Sequence, residues 1–367
     1  QVDAEEDVAP ALLTSTPAPW LAYTYQEDKR APSLTRLHNE ILTCCEYIAP
    51  SVQEMKLREI VLHEITEIIH SIWPNSTVSV FGSQMTKILT PTSDLDIVIM
   101  GVPENRHDQS EIYFTLAEKI KESGTVSYVE AITNAKVPIV KLDHRKTGIS
   151  IDICINNDSG LRTGKLIRKF VREYPPLRPL VLILKIFLTQ RRMNETYSGG
   201  IGSFVLTMMI VSFLQMKQRQ CAQIGTDTDN TSTTDDKKSD TSMNTLPIPS
   251  WNLGTLLLEF FHLYGITYNY YSTGISIPNG GSYLCKRKRS KADFNNARPN
   301  MLYLENPDLP ELDIGRNSYM MPKIRRSFEH AHQLLTAALG DPRVPSYLAY
   351  VVRPDDPALQ DRPGPEL

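Results

Sequence analysis

The sequence predicts an α+β fold in two parts: a small mixed β-sheet unit and a mostly helical unit. Three observations carry that expectation. Apolar residues recur at helical spacing over residues 34–72. The period switches to alternation in four short stretches between 78 and 155. From Leu161 onward helical spacing returns.

Residues 1–19 are acidic and proline-containing, with Asp3, Glu5, Glu6, Asp7, Pro10, Pro17 and Pro19, and are expected to form a disordered arm. Leu37, Ile41, Leu42, Cys45 and Ile48 recur at three and four, and so do Ile60, Val61, Ile65, Ile68 and Ile69. Pro50 separates these two helices and Pro74 ends the second. Val78 and Val80, then Leu95, Ile97 and Ile99, alternate as strands do. Residues 137–142 and 149–155 read as further strands, with helices at 84–89 and 111–122. The helices expected at 203–216 and 253–264 are apolar on nearly all sides, as interior helices are. Between them, 223–245 is a Thr/Asp/Ser/Asn tract with too little apolar surface for a core, expected as a disordered insertion. Pro342, Pro345, Pro354, Pro357, Pro363 and Pro365 mark 341–367 as a tail. The plan places the sheet unit at 52–165 and the helical unit at 20–51 plus 166–340.

Composition bounds the function. Of 367 residues, 41% are hydrophobic and 22% charged, the balance of a chain with a real core. A net charge of −3 excludes a globally basic protein, so nucleic-acid binding has to come from a local patch. No apolar run approaches the ~18 residues a membrane span needs. No basic-then-apolar leader opens the sequence, so neither a membrane nor a secreted protein is expected. The five cysteines are scattered and form no C-x-x-C. That argues against a disulfide framework and a structural zinc site, and for a reducing compartment, nucleus or cytoplasm.

The chemistry concentrates in a few places. With Leu95, Ile97 and Ile99 facing the core of a strand, Asp94 and Asp96 project together from the other face. Two adjacent carboxylates repel unless a cation lies between them, and oxygen donors of this kind suit Mg²⁺ or Mn²⁺. Ile149, Ile151, Ile153 and Ile155 alternate too, which places Asp152 on the outer face of another strand. On an adjacent strand it completes a three-carboxylate set of the kind that holds two divalent ions. Gly82-Ser83 closes a strand ahead of a helix; such a glycine lets backbone approach a ligand, and the helix start offers N–H groups to phosphate. From Arg162 to Arg192 there are nine basic residues against Glu173 alone, a net +8 that suits triphosphate and RNA backbone. Among them, Lys185 interrupts an apolar helix, and a buried lysine needs a partner such as a phosphate oxygen. A second basic cluster, Lys286-Arg287-Lys288-Arg289 with Lys291, reads either as a site that binds RNA or serves as a nuclear address, or equally as an exposed loop without such a role.

Together these features resemble the DNA-polymerase-beta-type nucleotidyltransferase superfamily, and within it the noncanonical poly(A) polymerases of the TRAMP type (DNA polymerase sigma). The matching stretches are Phe81-Gly82-Ser83, Pro91-Thr92-Ser93-Asp94-Leu95-Asp96, residues 137–142, Ile151-Asp152-Ile153, residues 181–185 and residues 197–204. They continue through 252–254, 258–261, Tyr264-Gly265, Asn269-Tyr270, Leu304-Glu305-Asn306-Pro307 and 313–319, in one order from about Trp20 to Leu335. The resemblance implies a two-domain nucleotidyltransferase, its catalytic sheet domain facing a helical central domain with ATP and an RNA 3′ end in the cleft. It implies catalytic and metal-binding roles for Asp94, Asp96 and Asp152, with two Mg²⁺ or Mn²⁺ ions. It implies nucleotide contacts by Gly82, Ser83, Gly160, Lys185, Ser203, Phe204, Leu312 and Arg316.

Two positions depart from the family pattern. Phe204 replaces a typical tyrosine and keeps a ring for stacking. Leu312 stands where ATP-preferring members usually have Asn and many uridylyl relatives have His, and it has no group to hydrogen-bond a base edge. The implied activity is that of a template-independent RNA 3′-terminal adenylyltransferase in nuclear RNA surveillance and decay. The alternatives are a terminal uridylyltransferase using UTP and a catalytically silent RNA-binding scaffold. The resemblance further suggests a monomeric catalytic subunit partnered by a zinc-knuckle RNA-binding protein and an RNA helicase.

Overall fold

The structure, a computed structural model, describes residues 17–23, 30–103, 110–135, 137–228, 251–286, 299–360 and 362. Most of the expected arm, the tract 229–245 and basic residues 287–291 lie outside the described residues. In chain order the elements are α1 (Ser33–Tyr47), α2 (Val52–Ile72), β1 (Thr77–Val80), α3 (Gly82–Thr86), β2 (Leu95–Met100), α4 (Glu111–Glu122), β3 (Val126–Ile132), β4 (Ile139–His144) and β5 (Ser150–Ile155). There follow α5 (Ser159–Glu173), α6 (Leu177–Thr189), α7 (Ser203–Thr228), α8 (Leu253–His262), β6 (Thr273–Ser276), β7 (Ser282–Cys285) and α9 (Met321–Leu339). The fold is α+β, and the chain divides into two compact units: 46–173 with 357–367, and 1–45 with 174–356.

In the first unit one five-stranded sheet runs in the order β1-β2-β5-β4-β3. β2 and β5 are parallel; the other neighbours are antiparallel. Alternation assigns the faces. Leu95, Ile97, Ile99, Ile151, Ile153, Val140 and Leu142 enter one core with Val61, Ile65 and Ile69 of α2 and Tyr113, Leu116 and Ile120 of α4. α2 starts at a capping box, in which the Ser51 side chain accepts from the Glu54 amide and the Glu54 carboxylate accepts from the Ser51 amide. α5 buries Gly164, Ile167 and Phe170, and it packs on α3, which packs on β2. That contact carries α5 into the sheet unit, past the expected boundary at 165.

The second unit is mostly helical. Phe187, Phe260, Phe261 and Phe328 meet with ring centroids 5.2–6.3 Å apart, close enough for edge-to-face contact beyond area burial. α7 extends through Thr228, so the first residues of the expected insertion at 223–245 are helical. A hairpin of β6 and β7 turns through Asn279, Gly280 and Gly281, all with positive φ. Residues expected to begin a tail are interior: Tyr347, Leu348, Val351 and Val352 are at most 1% exposed. They close on buried Glu40, whose carboxylate accepts from Trp20 Nε1 (2.9 Å), the amides of Tyr347 (2.9 Å) and Leu348 (3.0 Å), and the Ser346 hydroxyl. Arg36 adds donors to the carbonyls of Pro342 and Val344 and to the Tyr347 hydroxyl. Among the described residues, no helix is long and apolar enough to cross a membrane.

Candidate active site

The sheet brings two of the three carboxylates into register: Asp96 is the direct partner of Asp152 across the parallel β2–β5 pair. Both sit on the face away from the core, half-buried. Asp94 stands two residues before Asp96 and is also half-buried. Gly82 follows β1 with φ +61° and lies against the Asp96 carboxylate, where a Cβ would sit 1.9 Å from Oδ2. Only glycine permits that approach. Gly160, in the first turn of α5, lies on the Phe81 ring, where a Cβ would sit 2.4 Å from Cδ2. α3 is only five residues long and begins at Gly82, two residues before the expected helix start. Ser83 therefore sits within its first turn, and a helix this short adds little dipole.

Two basic side chains enter the site. Lys141, opposite Asp152 in the β4–β5 register, holds its Nζ 3.4 Å from Asp152 Oδ1. That oxygen is buried and has no hydrogen bond. Arg58 enters beneath Asp94: Nη2 donates to the Ser93 carbonyl (2.5 Å) and Nη1 to that of Asp94 (3.4 Å). Burial lowers the Arg58 pKa, while the charges of Glu54, Asp94 and Asp96 raise it. Burial, with the charges of Asp96 and Asp152 adding to it, pushes the Cys154 thiol up to about 11. A cavity of about 410 Å³ opens beside Asp94, bordered by Arg58, Thr90, Thr92, Ser93 and Ser150.

Among the described residues, no three His, Cys, Asp or Glu side chains converge closely enough to enclose a metal ion. The donors nonetheless fit a divalent cation. They are all carboxylate oxygens, and Asp152 Oδ1 is a buried charged atom without a hydrogen-bond donor.

The remaining predicted contacts lie in the helical unit. Lys185 is half-buried on α6, between buried Leu184 and Ile186. Ser203 is exposed at the start of α7, with Phe204 half-buried beside it. Leu312 is 38% exposed and Arg316 is exposed, both on a loop held by Asp313 Oδ1, which accepts from the amides of Leu304 (3.1 Å) and Gly315 (2.8 Å). The Met320 amide donates to the Gly199 carbonyl at 2.8 Å, tying this loop to the one before Ser203.

Lys286 requires a correction. It is buried at 4% exposure, and its ammonium donates to the carbonyls of Tyr270 (2.5 Å), Met301 (2.7 Å) and Pro299 (3.3 Å), so it belongs to the interior and not to an exposed basic cluster. Burial lowers its pKa to about 8. Sequence reasoning also missed Arg58 and Lys141. Arg58 occupies the apolar stripe of Val61, Ile65 and Ile69, a misplaced charge that was there to be noticed.

Residues 37–172 match the family model described as poly(A) RNA polymerase, mitochondrial-like, central palm domain, and 252–311 match that of the Cid1 family poly A polymerases. The chain is 33% identical over 328 residues to poly(A) RNA polymerase cid14 of Schizosaccharomyces pombe, covering 89% of this chain and 44% of that protein. It is 32% identical over 317 residues to the inactive non-canonical poly(A) RNA polymerase protein Trf4-2 of Drosophila melanogaster, covering 84% of this chain and 70% of that one. The solved polymerase core of TRAMP, an RNA surveillance complex, superposes with a TM-score of 0.76 at 28% identity, over 92% of this chain and all of that one. The chain spans about half the length of the first curated relatives it matches.

Proposed function

The chain belongs to the noncanonical poly(A) RNA polymerase family, and from that premise we propose that it is a template-independent RNA 3′-terminal adenylyltransferase. The RNA 3′-hydroxyl oxygen gives up its proton to solvent and bonds to the α-phosphorus of ATP, the bond from that phosphorus to the bridging oxygen breaks, and pyrophosphate leaves. The register of Asp96 with Asp152 supports this reading above any other observation.

Asp94, Asp96 and Asp152 are the residues that hold divalent cations in this reading, two ions of Mg²⁺ or Mn²⁺. When bound, such ions stabilise charge on the transferring phosphate and lower the pKa of an attacking hydroxyl. The chain's own residues set the stage. Gly82 admits the Asp96 carboxylate, Arg58 fixes the Ser93 and Asp94 carbonyls, and Lys141 offsets the Asp152 charge. Ser83, Gly160, Lys185, Ser203, Phe204 and Arg316 contact the nucleotide in this proposal, Phe204 by stacking on the base. Leu312 has no group to read a base edge, so selection of ATP over UTP rests on other residues. We assign the chain to the nucleus, as a monomeric catalytic subunit acting in RNA surveillance with a zinc-knuckle RNA-binding protein and an RNA helicase.

The test is extension of a labelled RNA primer with each NTP separately and Mg²⁺ or Mn²⁺, for wild type, Asp96→Ala and Asp152→Ala. Tails of adenosine from wild type alone are the expected result. Tails of uridine would transfer the enzyme to UTP. One relative is described as inactive, which gives a second reading, a silent RNA-binding scaffold. Wild type that extends nothing would establish that reading.

A further inference from the structure

The outward face of α5 carries a basic stripe. Gly164, Ile167 and Phe170 are buried, and Arg162, Lys165, Arg168, Lys169 and Arg172 are exposed. Arg162 pairs with Asp158 at 3.3 Å. Among the described residues, Lys165, Arg168 and Lys169 make no ion pair. Like charges face each other at three- and four-residue spacing, as in Arg162 with Lys165, Lys165 with Lys169, and Arg168 with Arg172. Such pairs destabilise a helix. In a chain of net charge −3, this self-repulsion disfavours the helix unless a polyanion neutralises it.

The stripe also has a direction. α5 begins beside the carboxylates: Gly160 lies on Phe81, the residue before Gly82, and Gly164 lies on Met85 of α3. From Arg162 to Arg172 the helix then runs about 15 Å onward. A stacked nucleic-acid strand carries a phosphate about every 3.4 Å, so the stripe faces about four phosphates.

We infer that the exposed basic face of α5 binds the phosphodiester backbone of substrate RNA upstream of its 3′ end. The inference rests on the RNA substrate proposed above. It goes further, because it assigns the upstream backbone to one helix face and leaves the nucleotide to other residues.

The experiment measures binding of a fluorescein-labelled single-stranded RNA of about 20 nucleotides to the full chain across a salt series, without ATP. Neutralising one phosphate contact on a single strand lowers the slope of log K against log salt by about 0.7. Lys165→Gln with Lys169→Gln is expected to lower the slope by about 1.4, and Lys165→Arg with Lys169→Arg to retain it. Arg168→Gln alone lowers it by about 0.7. All of these side chains are exposed, so the variants keep the wild-type melting temperature or exceed it. In primer extension the double Gln variant loses performance through the KM for RNA and not through kcat. An unchanged salt slope overturns the inference, as does a rise in the KM for ATP with RNA binding intact, which would assign the stripe to triphosphate. Binding is read without turnover, so a chain that extends no primer yet shows the slope change keeps this surface and loses only the proposed reaction.

Discussion

Asp96 and Asp152 face one another directly across two parallel strands, with Lys141 the cation paired to Asp152. A divalent cation at this pair relieves repulsion present only in the folded state. The melting temperature is expected to rise with MnCl₂ or MgCl₂; at a hundred times Kd the gain is about 2.7 kcal/mol. Asp152→Asn is expected to remove most of that gain. Thermal melts with and without metal check both.

Gly82→Ala places a methyl group on the Asp96 carboxylate at a positive φ. The backbone conformation alone costs about 1–2 kcal/mol. Displacing a reacting-centre group by about 1 Å costs on the order of 100-fold in rate. Primer extension beside a urea titration is expected to show a rate loss far larger than the stability loss explains.

Arg58→Met strands the carbonyls of Ser93 and Asp94, at a cost of about 1–3 kcal/mol. Arg58→Lys keeps the charge but not the planar fork, so it is expected to fall between Met and wild type in both urea midpoint and extension rate.

The buried Lys286 ammonium makes stability pH-dependent. Its pKa is about 8 in the fold and about 10.4 in the unfolded chain. Between those values the unfolded state binds more protons, so stability rises as pH rises. Below about 8 both states are charged and the burial penalty is fully present. Chemical denaturation at pH 7.5 and pH 10 is expected to show wild type gaining relative to Lys286→Met.

Cys221 and Cys285 are exposed, while Cys44, Cys45 and Cys154 are buried. A thiol reagent is therefore expected to label two groups quickly in the native protein and all five only after denaturation. A third fast group would contradict the burial of α1 or β5.

Much of the sheet unit was legible because its core strands alternate. The isoleucines at 149, 151, 153 and 155 set the face of Asp152, and Leu95, Ile97 and Ile99 set that of Asp96. β3 escaped because it is an edge strand with Ser127, Tyr128 and Glu130 toward solvent, so it shows no apolar alternation. The β6–β7 hairpin escaped although Asn279-Gly280-Gly281 is a turn signal. Lys286 was misread because its sequence neighbours are basic, whereas its burial depends on carbonyls 13 to 16 residues away. Proline content misjudged 341–360 for a similar reason. Prolines break helices, yet they do not prevent irregular chain from packing.

The Glu40 network has a practical bearing on where this protein can be shortened. A fragment ending at Gly340 keeps α1 to α9 but removes Ser346, Tyr347 and Leu348, leaving an interior carboxylate with Trp20 as its one remaining donor in that network. Such a charge is tolerated only by taking up a proton or admitting water. The shortened protein should thus resist acid better than alkali, and protease cuts between 341 and 352 should loosen the end of the molecule that holds Trp20.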